Sequence, residues 1–405
     1  MSEVITKSFG STVLGEVANV LDLTIKSDYV NKLVVFLAFL SAYTDNNQFN
    51  ISLNAPSSTG KSYIPLEVVG LFPKEDIIKI GYCSPTAFFH DWSRYDKANK
   101  TFHVDLERKI LIFLDQPQTM LLERLRPLLS HDSKEIEIKI TDKGKKHGLK
   151  TKNIIVRGYA CVIFCSACLK TDEQEATRFI LLSPETSQEK IRLGVEEAIH
   201  KATDKKAYLQ ALNENPSRKA LMERILAIKE AKIMDINIHN ESRVKDIFLA
   251  KQSLKPRHQR DIGRVLKLIK GHALLNWRDR RNDGKILVTS DVDIEVGFSL
   301  WDEISYPQEL NISPYLYKFW EEIIVVLYKE AGEPIKRKDI LAGHFRIYGR
   351  PLETHRLNRD IIPMLENAGL ISQEVDPDDK KSKLITPVFP QDLIDKTGVG
   401  TDHDR

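Results

Sequence analysis

The sequence predicts an α/β fold, a parallel sheet with a helical lid, followed by a smaller and mostly helical C-terminal unit. Three observations lead there. A strand-like run passes through a Gly-Lys-Ser turn into a helix-like run in "ISLNAPSSTGKSYIPLEVV" (51–69). Two further runs, "KILIFLD" (109–115) and "YACVIFCSA" (159–167), are apolar without alternation, as in strands covered on both faces. Helical periods separate these strands, and strands alternating with helices build a parallel sheet.

Taken in order, residues 10–46 read as two helices. The second contains "YVNKLVVFLAFLSAY" (29–43), which Asn31 and Lys32 interrupt. That leaves about a dozen apolar residues, short of the ~20 a membrane span needs, so a buried helix and no membrane contact are expected. A strand follows at Phe49–Leu53, then the Gly-Lys-Ser loop and its helix. "DIIKIGYCS" (76–84) alternates as a strand and "PTAFFHDW" (85–92) begins a short helix. "KTFHVDLERK" (100–109) reads as a charged hairpin or loop before the buried strand Ile110–Leu114. Helix returns at 119–130, where Leu121, Leu122, Leu125, Leu128 and Leu129 share one side. "KEIEIKITDKGKKHGLKTKNIIVRG" alternates at period two around a Lys- and Gly-rich centre, a long β-hairpin over about 134–157 with an exposed tip. A helical region with few breakers runs from about 188 to 280. The aperiodic, proline-containing "SYPQELNISP" (305–314) marks a boundary, and residues 315–390 form three helices and a hairpin. The expected division is an N-terminal helical segment (1–45), a nucleotide-type α/β domain (46–305) whose lid occupies about 188–305, a C-terminal unit (306–390) and a polar tail (391–405).

Composition fits a globular protein: 42% of the 405 residues are hydrophobic and 29% charged. A net charge of +3 is nearly balanced, so any contact with nucleic acid must come from local clusters of Lys and Arg. No basic stretch leads into an apolar core and cleavage site, so no signal peptide is expected. Cys83, Cys161, Cys165 and Cys168 include one Cys-x-x-Cys, but no second pair or spaced histidines complete a zinc set. Reduced core cysteines are expected, implying an intracellular, cytoplasmic protein.

The chemistry centres on residues 55–62. A turn between strand and helix offers backbone N–H groups to phosphate oxygens. In Ala55, Pro56, Ser57, Ser58, Thr59, Gly60, Lys61 and Ser62, Gly60 provides the second loop glycine. Lys61 would reach the β/γ-phosphates and Ser62 would ligate Mg²⁺. Ala55 stands where the first glycine is usual, and Pro56 fixes a tight turn there. Asp115 ends the buried strand, either holding Mg²⁺ through water or merely capping the strand. The next position calls for a carboxylate to polarise the attacking water, and here it is Gln116. A glutamine cannot accept that proton but can orient the water. Glu123 or Glu107 could take over as base, and the sequence does not choose between them.

The order of phosphate loop, strand with short helix, Asp-Gln strand, Lys-rich hairpin, "VIFCSA" strand and "DEQEATRF" resembles the AAA+ module of minichromosome maintenance (MCM) helicases and the related helicase/primase-type ATPases of phages and mobile elements. "HQRDIGRVLKLIKGHALLNWR" and "ILVTSDVDIEVGFSL" are similar to the lid helix of that family and the helix after it. The resemblance covers roughly residues 45–305, and the C-terminal unit resembles a winged helix. It implies an AAA+ P-loop NTPase fold with ATP and Mg²⁺ as cofactors. It also implies that Arg178 is an arginine finger reaching a neighbour's nucleotide and Arg260 a sensor-2 arginine, each otherwise an ordinary surface charge. The family's sensor-1 asparagine falls by spacing on Cys168, with Ser166 the better polar candidate.

In that family the hairpin projects into a ring's channel and grips DNA. Here the tip carries Lys143, Lys145, Lys146 and Lys150, suited to sequence-independent phosphate contact or else a solvated basic end. Arg278, Arg280 and Arg281 read as a solvated helix end. The expected function is an ATP-driven, hexameric ring motor on single-stranded or forked DNA, a nucleoid-associated replicative helicase of a mobile element or microbial genome. The winged helix would touch DNA or a replication protein. The alternative is an ATP-bound AAA+ switch on DNA that recruits a partner and hydrolyses little.

Overall fold

The computed structural model describes residues 12–91, 93–99, 101–142, 150–167, 178–250, 254–380 and 382–389. The chain opens with α1 (Val13–Asp22) and α2 (Tyr29–Ser41), then β1 (Asn50–Asn54), α3 (Tyr63–Val69), β2 (Ile77–Ile80) and α4 (Ala87–Asp91). Next come β3 (Arg94–Asp96), β4 (Thr101–Asp105), β5 (Ile110–Phe113), α5 (Thr119–Leu129), β6 (Glu135–Asp142), β7 (Lys150–Arg157), β8 (Cys161–Ser166) and β9 (Phe179–Leu182).

β2, β5, β8, β1 and β9, in that order, form an all-parallel sheet. The strands β1, β5, β8 and β9 are buried along their whole length, which is why their sequences do not alternate. One face of the sheet packs on α1 and α2 and on helices from later in the chain. The other packs on α4, α5 and the base of the β6–β7 hairpin. Lys32, which interrupts the apolar run of α2, is fully buried. It survives there because its ammonium pairs with Asp22 and donates to Ile25 O at 3.3 Å. Burial pushes its pKa down while Asp22 opposes the shift.

The charged stretch before β5 is a hairpin, β3 against β4, and it joins β7 and β6 in a four-stranded sheet ordered β3-β4-β7-β6. In the long hairpin, Glu135 pairs with Arg157 and Asp142 with Lys150. Ile140, Ile154 and Val156 turn inward. Lys143, Lys145 and Lys146 lie outside the described residues, and of Lys150 only the backbone is described.

The stretch expected to form a lid holds α6 (Gln188–Thr203), α7 (Lys205–Glu214), α8 (Pro216–Ala231), β10 (Asp235–Asn237), α9 (Glu241–Leu249), α10 (His258–Leu275), β11 (Asn282–Asp283), β12 (Ile286–Val288) and α11 (Asp291–Glu309). The expected helical stretch over 188–280 is therefore broken by a small sheet ordered β10-β12-β11. The reason is local: around β10, Ile233 and Ile236 are buried while Asp235 accepts a 2.9 Å bond from Asn47.

The expected aperiodic boundary also shifts, because α11 runs through Pro307 to Glu309. Its end is held by Gln308, fully buried, whose amide donates to Leu181 O at 2.6 Å and accepts from Leu181 N at 2.9 Å. Nor is Arg280 solvated. It forks onto the buried Asp293 at 2.6 and 2.7 Å, with His272 Nδ1 at 2.6 Å from the same carboxylate. The His272 and Arg280 bonds hold the Asp293 carboxyl well below its usual range against the opposing effect of burial.

The C-terminal unit has its own core. It contains α12 (Pro314–Phe319), continuing through a wide turn at Trp320–Val325 into α13 (Val326–Ala331), β13 (Ile335–Lys336), α14 (Arg337–Tyr348) and α15 (Thr354–Arg356). Leu357–Ile361 leads on to α16 (Ile362–Asn367), β14 (Ile371–Val375) and β15 (Lys383–Pro387). The strands form a three-stranded sheet ordered β13-β15-β14. The polar tail 391–405 lies outside the described residues.

Candidate nucleotide site

The loop between β1 and α3 is built by its own backbone. Ala55 is fully buried, and its N–H donates to Ser166 O at 3.1 Å, tying the loop to the neighbouring strand. The left-handed positions are Ser58 (φ 66°) and Gly60 (φ 87°), not Ala55, so nothing at the loop's start requires a glycine. Thr59 Oγ1 donates to Pro56 O at 2.9 Å and closes the turn that Pro56 begins. Gly60 O then accepts from Tyr63 N and Ile64 N at 3.0 and 3.3 Å, starting α3. Ser57 and Ser58 are exposed, and Lys61 and Ser62 half-buried.

Because β8 lies between β1 and β5, the C-terminal ends of three strands meet beside this loop. Asp115 and Gln116 follow β5 and are exposed. Gln116 N donates to Asp115 Oδ1 at 2.8 Å, and Ser166 Oγ donates to Gln116 Oε1 at 2.7 Å. The buried Cys165 forms the wall between them, its Sγ 3.5 Å from Lys61 O. Burial pushes the Cys165 thiol up to about 11, while a hydrogen bond with Ser62 and the charge of Lys61 pull it down and Asp115 adds to the rise. One side chain thus senses Lys61, Ser62 and Asp115 together.

The donor set fits Mg²⁺, a hard cation that takes one or two protein oxygens and completes its shell with water and phosphate. Ser62 and Asp115 offer such oxygens, and among the described residues no group of three or more His, Cys, Asp or Glu could hold a metal without them. Glu107 cannot substitute as base. It precedes β5 at the opposite end of the sheet and pairs with Lys134 at 3.3 Å. Glu123, exposed on α5, remains on the correct side. Cys168 lies outside the described residues, and Ser166 ends β8 with its hydroxyl on Gln116.

Arg178 and Arg260 are brought together, but far from the loop. They line a cavity of about 350 Å³ with Phe49 and Asn50 at the start of β1. Four residue steps separate Asn50 from Asn54, ~13 Å of strand. Arg178 Nε donates to Ser130 Oγ at 2.7 Å, and Arg260 is exposed. Two further cations share the cavity. Arg264 holds Asp261 at 3.0 Å and Phe179 O at 2.9 Å, and Lys267 donates to His131 Nδ1 at 3.3 Å. Burial, reinforced by Lys270 and Arg264, pulls Lys267 down to about 8, and burial and Lys267 together pull His131 down to about 3. The signal for this cluster was present in "RDIGRVLK", where Arg260, Arg264 and Lys267 stand at helical i, i+4, i+7 spacing on α10.

Fold and site together define a parallel α/β protein with a phosphate-loop turn at one end of its sheet and a cationic cavity at the other. No family model and no curated protein matches the chain. Among solved structures, a full-length MCM homolog from Methanopyrus kandleri is similar over 75% of this chain at 13% identity and a TM-score of 0.38. This chain covers 60% of that homolog's length. A "putative ATPase" from Cytophaga hutchinsonii ATCC 33406 is similar over 73% of this chain and 86% of its own, at 13% identity and a TM-score of 0.36. At that identity and superposition, neither structure determines what this chain binds or does. Among the described residues, no helix is long and apolar enough to cross a membrane.

Proposed function

We propose that the chain is an AAA+-type ATPase that works as a ring on DNA, an MCM-like translocating motor whose nucleotide sites are shared between copies. The observation that carries this is the placement of the phosphate loop and of Arg178 with Arg260 at opposite ends of one sheet. Neither arginine can reach the phosphate loop of its own copy, yet in a closed ring one end of each copy faces the other end of the next. Lys61 and the loop N–H groups would hold the β/γ-phosphates, with Ser62 and Asp115 on Mg²⁺. The metal would neutralise phosphate charge. Gln116, oriented by Ser166, would aim a water at the γ-phosphorus, so that a bond from the water oxygen to phosphorus forms as the bond to the β–γ bridging oxygen breaks, ADP leaves, and the water's proton passes to an oxygen of the phosphate product. Arg178 and Arg260 of the neighbour would stabilise the charge that develops on the transferred group.

Movement on DNA is supported by the long β6–β7 hairpin, whose lysine tip Lys143, Lys145, Lys146 and Lys150 suits backbone contact. The C-terminal unit, with three continuous helical stretches, α12–α13, α14 and α15–α16, before a β14–β15 hairpin, has the elements of a winged helix. A second reading, a switch that binds ATP and hydrolyses little, is favoured by Gln116, which cannot serve as a base.

Titrating the full chain with ATP and Mg²⁺ by calorimetry tests the site: binding is expected, and Lys61→Ala should abolish it. Undiminished affinity in that variant would refute the phosphate-loop assignment. Strand displacement measured beside ATPase rate separates motor from switch, since a switch shows nucleotide binding without displacement.

A further inference from the structure

The C-terminal unit reaches the nucleotide site directly. Between α14 and α15 the chain reads Gly349-Arg350-Pro351-Leu352-Glu353. Gly349 ends α14 in the left-handed region, φ 64°, with its N–H on Phe345 O at 2.9 Å. His344 Nδ1 lies 3.0 Å from Arg350 O. This built turn sends Arg350 toward the phosphate loop, where its Nη1 donates to Ser57 O at 3.4 Å. Two turns of chain later, Arg356 Nη2 donates to Ala167 O at 3.2 Å, one residue past Ser166.

The two guanidinium groups therefore bracket the ends of β1 and β8, the space in which the terminal phosphate must lie if Lys61 and Gln116 act as proposed. Both side chains are half-buried, and among the described residues neither forms an ion pair. Arg356 holds a neutral carbonyl, and Arg350 holds a neutral carbonyl at a long distance together with the Tyr315 side chain. A phosphate oxygen is a stronger partner, because its negative charge adds a Coulombic attraction to the guanidinium that a neutral carbonyl lacks. The unit that carries them is fastened to the same strand end. Ser183 Oγ donates to Asn54 O at 2.6 Å and accepts from Tyr315 N at 3.0 Å, and the Tyr315 side chain shares a hydrogen bond with Arg350.

We infer that Arg350 and Arg356 read the terminal phosphate of the nucleotide bound by their own copy, so that the C-terminal unit registers ATP against ADP. The inference rests on the proposed ATP site. It adds a pair of positively charged groups acting within one chain, distinct from Arg178 and Arg260, which act on a neighbour. When ATP is present the guanidinium groups leave Ser57 O and Ala167 O for the γ-phosphate oxygens. After hydrolysis they return, and the C-terminal unit changes its grip on the loop.

The test compares the affinity of the full chain for the non-hydrolysable analogue AMP-PNP with its affinity for ADP, both with Mg²⁺, in Arg350→Ala, Arg350→Gln and Arg356→Ala. Loss of one charged hydrogen bond should weaken AMP-PNP about 10- to 100-fold and leave ADP unchanged. Arg350→Gln can still donate to Ser57 O, so it restores a merely structural contact but not the reading of phosphate charge. The inference predicts that the Gln variant discriminates as poorly as the Ala variant. Equal weakening of both nucleotides, no weakening of either, or full rescue by Gln would overturn it while leaving the ATP site intact. A wild-type chain that binds neither nucleotide would instead overturn the ATP site, and this inference with it.

Discussion

At the scale of single residues, the phosphate loop shows which substitutions its geometry tolerates. The left-handed turn falls on Ser58 and Gly60, so Ala55 occupies the first position without strain. Gly60→Ala should weaken ATP binding roughly 5- to 30-fold, because a left-handed backbone costs an L-residue ~1–2 kcal/mol. Ala55→Gly should change affinity little, and calorimetry of the two variants separates the cases. Gln116→Glu keeps an acceptor for the Ser166 hydroxyl and supplies a base, so it should raise turnover. An unchanged rate would place the base elsewhere, with Glu123 the carboxylate on the correct side. His131 gives a pH signature. Its folded value near 3 lies below the ordinary 6.5, so between those values the unfolded chain binds a proton that the folded chain refuses. Its contribution to stability is complete above pH 6.5 and drains away as pH falls toward 3. His131→Asn, which tolerates the left-handed φ of 59°, should flatten stability against pH across that window in urea unfolding. The placement of Lys61, Ser62, Asp115, Gln116 and Ser166 at the C-terminal ends of strands was legible in the sequence, because each follows or ends a strand whose apolar run is local. Cys165 and Lys267 were not, since their roles depend on which strands and helices come to lie side by side.

At the scale of elements, strands covered on both faces and strongly periodic helices were readable, and short partnered strands were not. β10 and β12 have three residues each, too few to show a period, and exist because they pair with one another. The β3–β4 hairpin was legible as charged sequence, but its docking on β7 joins residues some fifty positions apart and leaves no local trace. At the hairpin's return, Gly158 adopts φ 90°, and a Cβ there would meet Glu107 N at 2.4 Å. Gly158→Ala should therefore destabilise the protein by ~2–4 kcal/mol, a clash with backbone added to left-handed strain, seen as a lower denaturation midpoint. At the other end, replacing Lys145 and Lys146 with Ala should weaken DNA binding. Its dependence on log[salt] should become shallower by up to about 0.7–0.9 per lost phosphate contact, with ATP binding intact. An identical salt slope would make the tip a solvated surface.

At the scale of the whole molecule, one sheet separates the Gly-Lys-Ser turn from the cationic cavity. The phosphate loop, Asp115 and Gln116 stand at one end, Arg178, Arg260, Arg264 and Lys267 at the other, with β1 spanning the distance. If the proposed shared site is right, a single copy has a site for nucleotide but lacks the neighbour's arginines, whose counterparts elsewhere are worth ~10³–10⁵ in rate. Turnover per subunit should rise with protein concentration as copies assemble. The most direct measurement mixes Arg178→Ala subunits with Lys61→Ala subunits, each expected to be nearly inactive alone. In co-assembled mixtures, an intact loop from the first meets an intact Arg178 from the second, and part of the wild-type ATPase rate should return. No recovery in mixtures shown to co-assemble, together with a wild-type rate per subunit independent of concentration, would contradict a site shared between copies.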